Sequence, residues 1–98
     1  MAKGVVIDGA GATLARLRQD AGFATVDEAA DALGVDRSLI YKYEGNKVGV
    51  PEAYLEKLAE RLKKSLTYVV LECMQERYPE LASKPVAGYF AKLLKEIE

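Results

Sequence analysis

The side chains that most often carry chemistry in proteins are sparse in this sequence of 98 residues. Histidine, the commonest general base and metal ligand, is absent, and the single Cys73 can form neither an internal disulfide nor a zinc site. Glu52, Glu56 and Glu60 recur every four residues, but lysine and arginine are interspersed with them, as on a solvated helix face. The sequence therefore predicts no enzyme, no metal site and no cofactor.

A glycine-rich segment at the N-terminus is similar to part of a nucleotide-binding site. A short apolar run, Val5-Val6-Ile7, leads into Gly9 and Gly11, as a strand leads into a phosphate-binding loop. Leu14 stands where that pattern requires glycine or alanine, and no Gly-Lys-Ser/Thr follows. A strand, an arm and disorder all fit residues 1–11, and we expect a flexible arm that leads into the first helix.

The composition is typical of a soluble globular chain, since half of the residues are apolar and 30% are charged. The length suffices for one domain. Because the net charge is −1, the chain as a whole has no field that attracts nucleic acid, so any DNA binding must come from a local patch. No apolar run is long enough to cross a membrane, and we expect a cytoplasmic protein.

Hydrophobic spacing and capping residues predict six helices. The first follows Thr13, and the second follows the capping box Thr25-Val26-Asp27-Glu28, in which the Glu28 carboxylate reaches back to the amide of Thr25. Gly34 ends the second helix, and Asp36 can cap a third helix almost at once. Two short helices joined by so tight a turn must cross steeply, which is the helix-turn-helix arrangement.

Three further helices are predicted beyond the stop signal at Gly45-Asn46. Pro51 suits the first turn of the fourth, and Ser65 caps a fifth whose apolar residues require two neighbours. Ser83 and Pro85 open the last helix. The predicted fold class is all-α: a compact five-helix helix-turn-helix domain over residues 12–78 with an additional C-terminal helix in an extension over 79–98.

Two ordered stretches resemble a known family. One is Leu14 to Phe23, and the other is Thr25 to Lys47, with its Glu-Ala-Ala-x-x-Leu-Gly-Val core and its Ile-Tyr-Lys-Tyr-Glu-Gly-Asn-Lys segment. Together with residues 51–66 they resemble the phage repressor and Cro type of helix-turn-helix domain, which is lambda-repressor-like or Xre-type. The resemblance implies a DNA-binding transcription regulator of phage or prokaryotic type, acting as a repressor.

In that family the third helix lies in the DNA major groove, and its first residues contact base edges. The resemblance carries this role to four positions: Arg37, Ser38, Tyr41 and Lys42. The hydrophobic pattern agrees, because Ile40 and Tyr43 face the core with Leu39 at its edge. Arginine and lysine suit guanine O6 and N7, serine either donates or accepts, and tyrosine can contact a thymine methyl or a phosphate.

The resemblance also implies phosphate contacts and one structural ion pair. Thr25, Asn46 and Lys47 match positions that approach phosphates. Arg18 and Glu44 match an arginine on the first helix that pairs with the glutamate ending the third. No membrane and no small-molecule ligand is implied.

The charge of the matched region departs from that of a strong DNA binder. Residues 12–64 carry nine basic and nine acidic residues, and Asp27, Glu28 and Asp31 add three negative charges to the second helix. Gly45-Asn46 also reverses the usual asparagine-glycine order. We therefore expect a modest, steeply salt-dependent affinity unless a dimer doubles the contacts.

The sequence leaves the packing of the last helix open. The apolar stripes of the fifth and last helices can pair with a second copy, or the last helix packs over its own core. The leading interpretation is a homodimer that reads two DNA half-sites. The alternative is a protein-interaction module on the same fold, antitoxin-like or polymerase-binding, without sequence-specific DNA binding; the nearly neutral charge favours it.

Overall fold

The computed structural model describes residues 6–79 and 86–97. Within these ranges the chain forms six helices and one two-stranded sheet, which confirms the predicted all-α class in all but that short pairing. The elements in chain order are β1 Val6–Ile7, α1 Gly11–Asp20, α2 Val26–Leu33, α3 Arg37–Glu44, β2 Val50–Pro51, α4 Glu52–Leu62, α5 Leu66–Arg77 and α6 Val86–Ile97. No helix in these ranges is both long enough and apolar enough to span a bilayer.

Local capping residues begin α2 and α5 where the sequence predicts. The Thr25 hydroxyl oxygen accepts from the amide of Glu28 at 3.1 Å, and the Ser65 hydroxyl oxygen accepts from the amide of Tyr68 at 3.0 Å. The Glu28 carboxylate differs from expectation, since it accepts from the amide of Ala24 rather than that of Thr25. The capping box therefore closes one residue before the cap.

The turn from α2 to α3 depends on one glycine. Gly34 has a left-handed backbone with φ of 68°, a conformation that glycine adopts without the steric cost of a side chain. The amides of Gly34 and Val35 both donate to the carbonyl of Ala30, which ends α2. α3 then begins at Arg37, so the two helices pack closely against each other.

Residues 6–10 differ from the flexible arm expected over residues 1–11. β1 pairs antiparallel with β2, with Val6 opposite Pro51 and Ile7 opposite Val50. Ile7 and Ala10 are buried in the core. The strand pairing provides hydrogen-bond partners for backbone groups, and the side chain of Ile7 is removed from water. Both effects favour an ordered segment rather than a flexible arm. Residues 1–5 of the expected arm lie outside the described residues.

Helix α5 has the neighbours that its apolar residues predict, because it packs against α1, α4 and α6. Val69 and Cys73 are fully buried, and burial raises the pKa of the Cys73 thiol to about 12. Leu94 of α6 is also buried, so α6 lies against its own chain. The predicted start of this helix at Ser83 and Pro85 lies outside the described ranges.

The N-terminus of α1 is capped by residues from distant parts of the chain. Asn46 Oδ1 accepts from the amide of Gly11 at 2.9 Å. The Glu76 carboxylate accepts from the amides of Ala12 and Thr13 at 3.2 and 2.6 Å. Three amides that a helix start leaves unsatisfied thus find partners, and the helix begins two residues before the predicted Thr13.

Candidate nucleic-acid interface

Helix α3 has one buried face and one exposed face. Ile40 and Tyr43 are buried in the core, as the sequence predicts. The four side chains predicted to contact bases are all exposed: Arg37, Ser38, Tyr41 and Lys42. Leu39, expected at the edge of the core, is 39% exposed and is not part of the buried cluster.

Asp36 organises the start of α3. Its Oδ1 accepts from the Ser38 hydroxyl at 2.7 Å and from the Ser38 amide at 2.8 Å. These bonds, that of the hydroxyl foremost, hold the pKa of Asp36 below its usual value. The carboxylate is therefore charged at neutral pH, and because a charged carboxylate only accepts, the shared proton belongs to Ser38.

An exposed ion pair joins the starts of α2 and α3. Arg37 Nη1 lies 3.3 Å from Asp27 Oδ1, and the two side chains are 67% and 62% exposed. Since Asp27 is two residues beyond Thr25, this contact places the predicted phosphate-contacting end of α2 beside the predicted base-contacting end of α3. Surface pairs of this kind contribute little stability and are readily exchanged.

An open groove runs between α2 and the start of α3. Among the residues that the structure describes, its walls are formed by Asp27, Ala30, Asp31, Val35, Asp36 and Arg37. Three aspartates surround one arginine, so the local charge is negative. A phosphate is repelled at such a surface, whereas a base amino group is attracted to it.

The three predicted phosphate-contacting residues keep the hydrogen-bonding polarity that a phosphate needs. The Thr25 oxygen accepts from the Glu28 amide, which leaves its hydroxyl proton to donate. Asn46 uses its Oδ1 on Gly11, which leaves its side-chain nitrogen as a donor. Lys47 is exposed. Phosphate oxygens only accept, so all three side chains retain suitable donors.

Asn46 also explains the reversed Gly45-Asn46 order. Its backbone is left-handed with φ of 59°, whereas Gly45 has φ of −90°. Asparagine tolerates the left-handed region better than most residues, and from there its side chain reaches the start of α1. Sequence reasoning missed this capping role. An asparagine just beyond a helix end indicates a left-handed residue at that position, but it does not indicate the distant amide that the side chain caps.

The predicted structural pair, Arg18 and Glu44, forms a bidentate salt bridge. Arg18 Nε and Nη2 donate to the two carboxylate oxygens of Glu44 at 2.8 and 3.3 Å. Arg18 Nη1 also donates to the carbonyl of Phe23 at 2.9 Å. The side chains of the pair are only 8% and 13% exposed, and the hydrogen bond with Glu44 raises the pKa of Arg18. The pair fixes the end of α3 to α1.

Tyr54 of α4 packs against the buried face of α3. Its ring packs on that of Tyr43, with 5.1 Å between ring centroids. Burial raises the pKa of Tyr54, and its hydroxyl has no hydrogen-bond partner among the residues that the structure describes. The contact is therefore one of ring packing rather than of hydrogen bonding.

Two short helices, α2 and α3, pack against each other across a tight turn, and α3 keeps one face exposed. This arrangement defines a helix-turn-helix protein. The sequence profile of the helix-turn-helix domain family matches residues 10–65, which is more than half of the chain, so the chain belongs to that family. Comparisons with curated proteins and with solved structures gave no match.

Membership of this family indicates a DNA-binding regulator. Helix-turn-helix domains are typically not enzymes. Within residues 6–79 and 86–97, no group of three or more histidine, cysteine, aspartate or glutamate side chains is placed to hold a metal ion.

Proposed function

We propose that this protein is a sequence-specific, double-stranded DNA-binding transcriptional regulator of the phage repressor type, with α3 in the major groove. Four exposed polar side chains along that helix carry the proposal: Arg37, Ser38, Tyr41 and Lys42. Ile40 and Tyr43 anchor the opposite face in the core, so the helix can enter the groove as a rigid unit.

The roles follow from the hydrogen-bonding groups. Arg37 and Lys42 donate to guanine O6 and N7, and Tyr41 contacts a thymine methyl or a phosphate. Donors on Thr25, Asn46 and Lys47 bind the phosphate backbone on either side of α3 and set its register.

We also propose that the protein acts as a homodimer and represses by occupying an operator with half-sites about 34 Å apart. Val70, Leu71 and Met74 of α5 are only half-buried, so a second copy can cover them further. Light scattering on the full chain and on a truncation ending at Ser83 separates the two candidate interfaces. A truncated chain that stays dimeric assigns the interface to α5 rather than α6.

The direct test is selection of bound duplexes from a random DNA pool at low and near-physiological salt. We expect an enriched two-fold-symmetric sequence, with affinity that falls steeply as salt rises. Arg37→Ala combined with Lys42→Ala should abolish this enrichment and leave the melting temperature nearly unchanged, because both side chains are exposed.

The matched control removes two positive charges from helices other than α3. Lys57→Ala combined with Lys92→Ala replaces exposed lysines on α4 and α6, so the net charge changes by the same amount as in the α3 variant. We expect this variant to select the same sequence as the unmodified protein. Equal loss of binding in both double variants would mean that general charge, rather than α3, governs recognition.

A second function is favoured by the apolar part of the same surface. Leu39, Tyr41 and Val48 are exposed by 39%, 58% and 43%, and the groove beside α3 is acidic. Such a surface also suits a protein partner with apolar and basic side chains. Absence of any enriched DNA sequence at either salt concentration would favour this interaction module.

A further inference from the structure

We propose that Asp36 is a specificity-determining residue, because it holds the Ser38 hydroxyl proton and so makes Ser38 an acceptor-only contact that selects adenine or cytosine. This inference rests on the proposed function, since it concerns which base α3 reads. It assigns to Asp36 a role beyond capping the helix. A serine hydroxyl on its own can either donate to a base or accept from it, and Asp36 restricts Ser38 to accepting.

A serine hydroxyl has one proton to donate and two lone pairs that accept. In this structure Ser38 Oγ lies 2.7 Å from Asp36 Oδ1, and the Ser38 amide lies 2.8 Å from the same oxygen. The single hydroxyl proton is thus committed to Asp36. Ser38 is exposed, so the polarity that it offers to a DNA base is that of its lone pairs.

In the major groove the donors are the amino groups of adenine and cytosine, whereas guanine and thymine present the acceptors O6, N7 and O4. Guanine or thymine beneath Ser38 would set oxygen lone pairs against each other, and the charge of Asp36 would add to the repulsion. Each base pair presents one amino group in this groove, on adenine or on cytosine. The contact therefore distinguishes A·T from T·A and C·G from G·C by the strand that carries the amino group.

The experiment compares the sequences that four full-length proteins select from a random DNA pool: the unmodified protein, Ser38→Ala, Asp36→Gly and Asp31→Asn. Ser38→Ala identifies the half-site position that Ser38 reads, because preference is lost there alone. At that position we expect the unmodified protein to favour adenine or cytosine over guanine or thymine by roughly fivefold to tenfold, measured on four matched duplexes.

Asp36→Gly is the decisive variant. Glycine is well accepted at the N-cap of a helix, so α3 keeps its start. Because glycine has no side-chain oxygen, the hydroxyl proton of Ser38 is released and can donate to a base. We expect the preference at that position to fall to about twofold or less while the rest of the selected sequence is kept.

Asp31→Asn is the matched control, because it removes the same charge from the same groove without changing the bond between Asp36 and Ser38. We expect its selected sequence to match that of the unmodified protein. Far-ultraviolet circular dichroism verifies that every variant stays helical.

Three results would overturn the inference while leaving DNA reading intact. They are a preference for guanine or thymine beneath Ser38, an adenine or cytosine preference that survives Asp36→Gly, and a Ser38→Ala variant that changes no position. Absence of any selected sequence with the unmodified protein would instead reject the proposed function, and this inference with it.

Discussion

Two regions of α3 use the same chemistry, an arginine beside a carboxylate, in opposite surroundings. At the junction, where the end of α3 meets α1, Arg18 and Glu44 are 8% and 13% exposed and share two hydrogen bonds. At the tip, where α3 starts beside α2, Arg37 and Asp27 are 67% and 62% exposed and share one contact of 3.3 Å.

The comparison indicates that burial, rather than residue type, decides what an ion pair does. A buried charge that loses its partner cannot recover solvation, so the junction pair is confined to a structural role. An exposed pair contributes at most about 1 kcal/mol, so water or DNA can replace it. The tip can therefore rearrange on DNA while the junction holds α3 in place.

The largest effect is expected from Gly11→Ala, which tests how closely the junction is packed. A Cβ at this position would overlap the carbonyl oxygen of Glu44, which is backbone and cannot turn aside. We expect a loss of about 3–4 kcal/mol in the free energy of unfolding, measured with urea.

Gly88→Ala on α6 is the control, because a Cβ there meets no atom of the described part of the chain within 4 Å. Alanine favours a helix over glycine, so stability should stay equal or rise by up to about 1 kcal/mol. A Gly11→Ala variant that is as stable as the unmodified protein would show that the junction has room to relax.

The second prediction compares the two pairs directly. Arg18→Met should lower the free energy of unfolding by about 3 kcal/mol, because Glu44 and the carbonyl of Phe23 lose a buried donor. Arg37→Met should change it by less than about 0.5 kcal/mol.

Double-mutant cycles with Glu44→Gln and Asp27→Asn give the coupling energy of each pair. Equal coupling energies at the two sites would contradict the role assigned to burial. A larger coupling at the tip would reverse it.

The third prediction concerns DNA affinity at the tip. Asp27→Asn should strengthen binding roughly fivefold at low salt, since it removes a charge that repels phosphate and releases Arg37 from its partner. Asp31→Asn removes an equal charge from the same groove and should give roughly twofold. Equal gains would show that Arg37 is not held back by Asp27.

The smallest effect is expected from the titration of Asp36. Because its pKa in the folded protein is lower than the ordinary 3.8, its charge stabilises the fold above that value. This contribution is lost as the pH falls through the folded pKa. The difference in melting temperature between the unmodified protein and Asp36→Asn should therefore be greatest near neutral pH and shrink below pH 3.8. A constant difference from pH 7 to pH 2 would contradict this assignment.

The parts of the fold that sequence reasoning predicted are those with local causes. Thr25 and Ser65 cap helices through amides three residues away, and Gly34 ends α2 through its own backbone. Ile40 and Tyr43 are buried because their spacing defines one helix face. Such signals lie within a few residues of one another, so they can be found without knowing the tertiary structure.

The parts that escaped prediction depend on distant contacts. The pairing of Ile7 with Val50 orders a segment that its glycines alone suggest is flexible. The bond between Asp36 and Ser38 is local, but the direction of the Ser38 hydroxyl, on which the proposed base contact depends, follows only from the assembled start of α3.

The capping of α1 has a consequence for the order in which the chain acquires its structure. Asn46 lies 35 residues from the amide that it caps, and Glu76 lies 63 and 64 residues from its two amides. Closing so long a loop comes late, because its entropic cost is met only after other contacts have formed. We therefore expect the amides in the first turn of α1 to become protected from hydrogen exchange later during refolding than the amides in the first turn of α2. The first helix in the sequence would be the last to be secured.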